Sequence, residues 1–125
     1  MTNEYGNSDN GEKRTISDSL GHLVDIRLSG NIICLEEGLR DKQFQFNKQE
    51  TENLHAFLAV CLRMPRNGGR REYLENGKVL ELLDPENPRI TISEGDDSME
   101  IHPASWELVL CELSLLLPRM NPSYD

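Results

Sequence analysis

The sequence has no long apolar run, and this limits where the chain can work. Its longest unbroken apolar stretches fall far short of the roughly 20 residues that a membrane-spanning helix needs. The first 19 residues are polar and lack the apolar core of a secretion signal. We therefore expect a soluble protein that is not secreted and does not enter membranes. It would be cytoplasmic, or nuclear if the source is eukaryotic.

Cysteine is scarce. The three thiols, at Cys34, Cys61 and Cys111, are odd in number, and each lies within an apolar run. This usage fits small buried hydrophobic residues in a reducing compartment better than a disulfide framework. A chain of 125 residues is long enough to bury a core without such cross-links.

Basic residues are few and unevenly placed. Against 22 Asp and Glu the chain has 13 Lys and Arg, which gives a net charge of −9. This balance disfavours phosphate backbones and anionic lipid surfaces. The exception is the segment 63–71, where Arg63, Arg66, Arg70 and Arg71 form a candidate contact for an anion or a partner. The alternative is a solvated loop, since basic residues are also favoured at a helix C-terminus.

The residues that usually carry catalysis or hold metals do not form a recognisable pattern. His22, His55 and His102 are scattered, with no second His or Cys at ligand spacing. Cys61 and Cys111 need a nearby base to act as nucleophiles, and their apolar neighbours favour inert thiols. We expect no cofactor and no metal site, and a protein that is not an enzyme.

A strand-to-helix pattern occurs twice, about 55 positions apart. Segments 42–62 and 97–117 each read as a short alternating strand, a one-residue junction and a helix. Two copies of one unit indicate an internal pseudo-repeat.

This repeat predicts an α+β domain. The expected order is three strands and a helix, then a hairpin, two more strands and a helix. Asn47 and Glu50 are predicted to form a capping box at the start of the first helix, and Asn76-Gly77 a two-residue turn in the hairpin. An antiparallel sheet would carry both helices on one face. Residues 20–118 would form this domain, as the pseudo-repeat 20–64 and 70–118. Residues 1–19 are predicted to be a disordered acidic and polar N-terminal tail, and residues 119–125 a C-terminal tail.

The second helix is apolar almost all round, which requires that more than one side be buried. It lies either at the centre of the domain or against the same helix of another copy, which would make a homodimer. The candidate association face comprises Leu108, Leu110, Cys111, Leu115 and Leu116.

Residues 98–109 resemble the end of the positive-cofactor-four type of transcriptional coactivator domain. The resemblance consists of alternating strand residues, Pro103 at the helix start and Trp106 three residues later; residues 44–54 are similar but have Thr51 at the tryptophan position. Members are dimers of a four-strand-plus-helix unit, and Whirly-type proteins hold two such units in one chain. The resemblance implies binding of single-stranded nucleic acid.

The predicted outward face of the sheet does not match that function. Its residues are mixed to acidic and include no aromatic stack: Asp25, Arg27, Ser29, Gln43, Gln45, Glu81, Thr91, Ser93 and Glu100. The fold can therefore be shared without the activity.

Two functions are compatible with these patterns. The first is a small acidic regulatory module that is not an enzyme and acts by protein–protein binding, with a partner that has a basic surface. The alternative is a coactivator-like protein that binds single-stranded nucleic acid.

Overall fold

A computed structural model describes residues 13–17, 23–37, 43–64, 70–83 and 86–120. The chain forms four strands and a helix, followed by four strands and a second helix that ends in a short 3-10 turn. In chain order the elements are β1 Lys13–Ser17, β2 Leu23–Ser29, β3 Ile32–Glu37, β4 Gln43–Phe46, α1 Lys48–Arg63, β5 Arg71–Tyr73, β6 Val79–Leu83, β7 Arg89–Glu94, β8 Asp97–Ile101, α2 Pro103–Leu116 and the 3-10 turn Leu117–Arg119.

The strands form two antiparallel sheets of four, in the orders β1-β2-β3-β4 and β5-β6-β7-β8. Both are meanders, with each strand paired to the next along the chain. The α+β class is confirmed, and its strands are divided between two sheets. Within the described ranges, neither helix is long and apolar enough to cross a membrane.

The helices connect the two units. Helix α1 contacts β3 and β4 of its own unit and β6 of the other. Helix α2 contacts β1 and β2 of the first unit, and the two helices pack against each other. One hydrophobic cluster therefore includes residues of all eight strands or their junctions and of both helices.

Strand β1 corrects the prediction that order begins near residue 20. Residues 13–17 pair antiparallel with β2, with Ile16 opposite Val24. Ile16 is 8% exposed and belongs to the core cluster. Its segment contains a single apolar residue, which is why the sequence pattern is weak here. The rest of the predicted tail, residues 1–12 and 18–19, lies outside the described residues.

The other end of the domain also extends further than predicted. Met120 was assigned to the C-terminal tail, yet it is 3% exposed and packs in the core. The 3-10 turn Leu117–Arg119 follows α2 directly and contacts α1. Residues 121–125 lie outside the described ranges.

The hairpin at Asn76-Gly77 forms, but its turn differs from the predicted two-residue turn. Gly77 N donates to Leu74 O at 3.2 Å, and Leu74 N donates to Lys78 O at 2.8 Å. Gly77 has φ +94°, which a residue with a Cβ adopts only with strain. This is a three-residue loop with a bulge at the glycine. The loop places Lys78 on the buried face, in line with Leu80 and Leu82.

The two helices confirm the repeat at residue level. Helix α1 begins at Lys48 and α2 at Pro103, an offset of 55 positions. At this offset the six buried residues of α1 correspond to positions 105, 106, 109, 112, 113 and 116, and of these all but Glu112 are buried in α2. The first helix has the predicted capping box between Asn47 and Glu50.

We expect Ile16→Ala to lower the free energy of unfolding by about 2 kcal/mol, near the low end for core isoleucine because β1 is an edge strand. Urea unfolding monitored by circular dichroism measures the change. Ser17→Ala, at the exposed neighbouring position, is the control and should have little effect. Equal stability of both variants would restore the disordered-tail prediction.

Candidate functional site

The outer side of α2 carries a continuous apolar stripe. Leu108 is 46% exposed and Leu115 is 63% exposed, which is unusual for leucine. Cys111 lies between them and is exposed, and Ala104 and Pro118 extend the row at both ends. These five residues are called the α2 stripe below.

The matching positions of α1 show that the fold does not require an apolar outer side. At the offset of 55 positions, Leu108 corresponds to Asn53 and Cys111 to Ala56. Gln49 and Arg63, which correspond to Ala104 and Pro118, are exposed. Leu115 corresponds to Val60, which is apolar and half-buried. Three of the five positions of the stripe are therefore polar in the first unit.

The structure separates the five residues of the predicted association face. Leu108, Cys111 and Leu115 point outward. Leu116 does not: it is 7% exposed and sits in the core, so its place on that face is corrected. Leu110 is half-buried and packs against the core from its edge. The composition left two alternatives, a helix at the centre of the domain or a helix packed against another copy. In the structure, one side of the helix is buried in the domain and the other side is exposed.

The structure describes three of the four arginines of the basic cluster, Arg63, Arg70 and Arg71, and Arg71 is paired with an acid. Arg71 is bound to Glu81 of the adjacent strand, at 2.5 Å and 3.2 Å from the two donor nitrogens, and it also donates to the Tyr73 hydroxyl at 3.2 Å. The carboxylate raises the pKa of the Arg71 guanidinium. Arg70 is half-buried, and Arg63 is exposed at the end of α1. Arg66 lies outside the described residues.

The outward faces of the sheets have the predicted alternation. All nine residues assigned to them are exposed or half-buried, and their apolar strand neighbours are buried. Two arginines that flank this set are paired with acids, since Arg89 lies 3.3 Å from Glu100 and Arg71 binds Glu81. Tyr73, which is 69% exposed at the sheet edge, was missed as an outward aromatic.

A polar pocket of about 360 Å³ lies where the two units meet. Its lining comes from both units: Ile32, Gln43, Gln45, Asn47, Glu50, Asn76, Lys78 and Glu94. Lys78 and Glu50 are 4% and 3% exposed, and Lys78 Nζ lies 2.8 Å from Glu50 Oε2. Sequence patterns gave no sign of this pair, because the two residues belong to different units and only tertiary packing brings them together.

The buried pair is satisfied by the protein itself. Glu50 uses one oxygen for Lys78 and the other to accept from the Asn47 backbone at 2.9 Å. Lys78 Nζ also lies 3.8 Å from Glu94 and 5.2 Å from the centre of the Phe46 ring. These contacts join the start of α1 to the hairpin of the second unit, which is a structural role.

A second contact between the units joins His55 to Ser114, with Nε2 and Oγ 2.7 Å apart. The Ser114 hydroxyl also lies within hydrogen-bond distance of Leu110 O, at 3.0 Å. Which of His55 and Ser114 donates to the other depends on the histidine tautomer and on the rotation of the hydroxyl. In either case the contact joins α1 to α2.

The thiols differ in their surroundings. Cys34 and Cys61 are buried, and Cys111 is exposed. Burial raises the pKa of Cys61 from 9.0 to about 11, with Arg70 acting in the opposite direction. Cys61 is therefore a protonated core thiol at neutral pH.

Groups of metal-binding type do not converge in the described ranges: no three His, Cys, Asp or Glu side chains are placed to share an ion. No family model, curated protein or solved structure matches the chain. The resemblance to the coactivator domain stays a prediction.

We expect Lys78→Met and Glu50→Gln each to lower the free energy of unfolding by about 3–5 kcal/mol, because each leaves an unpaired buried charge or donor. The double variant should lose less than the sum. Glutamine keeps an acceptor for the capping box, so the loss reports on the ion pair. Urea unfolding gives all three values.

Arg71→Met is the matched control for the buried pair, since it breaks an exposed ion pair on the adjacent strand and should shift the urea midpoint far less. Single variants of Lys78 and Glu50 as stable as the parent protein would contradict the structural role.

The raised pKa of Cys61 predicts a loss of stability at alkaline pH. The unfolded thiol ionises near its ordinary value of 9.0 and the folded thiol near 11, so stability falls as pH rises between them. The slope should reach at most about 1.4 kcal/mol per pH unit and be smaller in Cys61→Ala. Urea unfolding across this window measures both slopes. Identical slopes would show that Cys61 is not buried.

Proposed function

We propose that the protein is a regulatory module that is not an enzyme and acts by protein–protein binding, with the α2 stripe as its contact surface. The observation that carries the proposal is the stripe itself, because three of its five positions are occupied by polar residues in the first unit, namely Gln49, Asn53 and Arg63. Contiguous exposed apolar residues with a polar rim are typical of protein-binding surfaces.

The charge of the chain adds to this proposal. A net charge of −9 favours encounter with partners that have basic surfaces and disfavours nucleic acids and anionic membranes. A homodimer through the same surface is a further part of the proposal.

Binding of single-stranded nucleic acid receives less support. Such proteins combine a basic groove with stacking aromatic side chains. Here Arg71 and Arg89 are paired with Glu81 and Glu100, and these acids reduce the positive charge that the sheets present to a phosphate backbone. Tyr73 is an exposed aromatic at the sheet edge, and it is bound to Arg71.

A photoreactive amino acid at position 115 should form covalent adducts with protein when the full chain is irradiated in its own cells. The matched control places the same group at position 56, the α1 equivalent of Cys111, which is also exposed. Adducts at 115 and few at 56 are expected, because apolar contact area is concentrated on α2. Gel mobility and mass spectrometry identify what is attached.

Two results would oppose the proposal. One is equal labelling at positions 115 and 56, which would mean that the stripe has no preferred occupant. The other is attachment of nucleic acid at either position in place of protein, which would support the alternative function.

A further inference from the structure

The α2 stripe has the spacing of a helix-pairing seam. Its residues within α2 follow one another at intervals of four, three and four positions from Ala104 to Leu115, and Pro118 follows in the 3-10 turn. This alternation keeps a row of side chains on one side of a helix. The stripe thus fits another helix lying along it.

The stripe also alternates in size. Leu108 and Leu115 are large, and the residues before, between and after them are small: Ala104, Cys111 and Pro118. Facing surfaces pack well when large side chains of one lie opposite small side chains of the other. A surface with this alternation can complement a copy of itself.

The relative direction of two copies decides whether the sizes match. In a parallel pair each residue faces its own equivalent, which puts leucine against leucine and leaves gaps between the small residues. In an antiparallel pair with the two-fold axis between positions 108 and 111, Leu108 lies opposite Cys111 of the second copy. Leu115 then lies opposite Ala104 of the second copy. Every large residue has a small neighbour in this arrangement.

We infer that the occupant of the α2 stripe is a second copy of this chain, bound antiparallel about a two-fold axis. The inference rests on the proposed function, since it names the protein that this contact surface binds. The interface is isologous, with the same residues contributed by both copies. Each copy keeps the rest of its acidic surface exposed.

The salt dependence of binding distinguishes a second copy of this chain from a different partner with a basic surface. Two copies of net charge −9 repel each other at long range, so raising salt from about 0.1 M to about 1 M, which shortens the screening length from ~10 Å to ~3 Å, should strengthen their association. A complex with a basic partner weakens over the same range. Sedimentation equilibrium of the full chain at several concentrations measures the dimer dissociation constant.

Substitutions at Cys111 test the packing. Cys111→Asp should raise the dissociation constant on the order of tenfold or more, because the interface buries the added charge. Ala56→Asp, at the matching exposed position of α1, should not change it. Cys111→Leu should also weaken the dimer, since two leucines would then oppose each other. A contact driven by apolar area alone would be strengthened by that change.

Oxidation of thiols to a disulfide tests whether the two copies of α2 run antiparallel. A thiol introduced by Leu108→Cys should form a disulfide with Cys111 of the second copy, which peptide mapping identifies. A thiol introduced by Leu115→Cys lies opposite Ala104 in this arrangement and should not bond to Cys111. A Cys111–Cys111 disulfide as the main product would overturn the antiparallel arrangement. A concentration-independent monomer at every salt level would overturn self-association altogether. Adducts of another mass at position 115 would then still support the proposed function, so the two failures are distinguishable.

Discussion

The apolar faces of the two sheets are buried by the same two helices, so each unit depends on the other for its core. Helix α1 lies against β3, β4 and β6, and α2 lies against β1, β2 and α1. The Lys78–Glu50 pair adds a buried ionic contact between the units, at 2.8 Å. Such a pair stabilises little in itself, but a lone charge in its place is costly. It therefore favours the one arrangement of the units in which both charges meet.

Local patterns predicted most of this fold. Alternation in residues 43–46, the capping box at Asn47 and the proline at the start of α2 each specify structure through neighbouring residues, and all are observed. Strand β1 was missed because its order comes from pairing with β2, and one buried residue, Ile16, carries the whole apolar signal. Edge strands of this kind are defined by tertiary contacts more than by their own sequence.

The candidate site was predicted less well, for two physical reasons. A helix that is apolar all round gives no periodic signal, so Leu115 and Leu116 could not be told apart, although one is 63% exposed and the other 7%. The repeat contained the missing information, since position 61 of α1 is an apolar core residue and position 60 is only partly buried. The buried lysine alternates with Leu80 and Leu82 and so shares their buried face, but its partner Glu50 lies in the other unit, and local patterns do not predict such a tertiary contact.

The two helices of the repeat are similar on their buried sides and differ on their outer sides. Both bury one side against strands, and this common requirement fixes nearly the same set of positions in each. The outer sides carry no such requirement, and they differ: the first unit has Gln49, Asn53 and Arg63 where the second has Ala104, Leu108 and Pro118. An exposed leucine row adds nothing to a monomer and creates a risk of nonspecific association. Because α1 shows that a polar outer side is compatible with this fold, the leucines of α2 are better explained by what contacts them than by the stability of the chain.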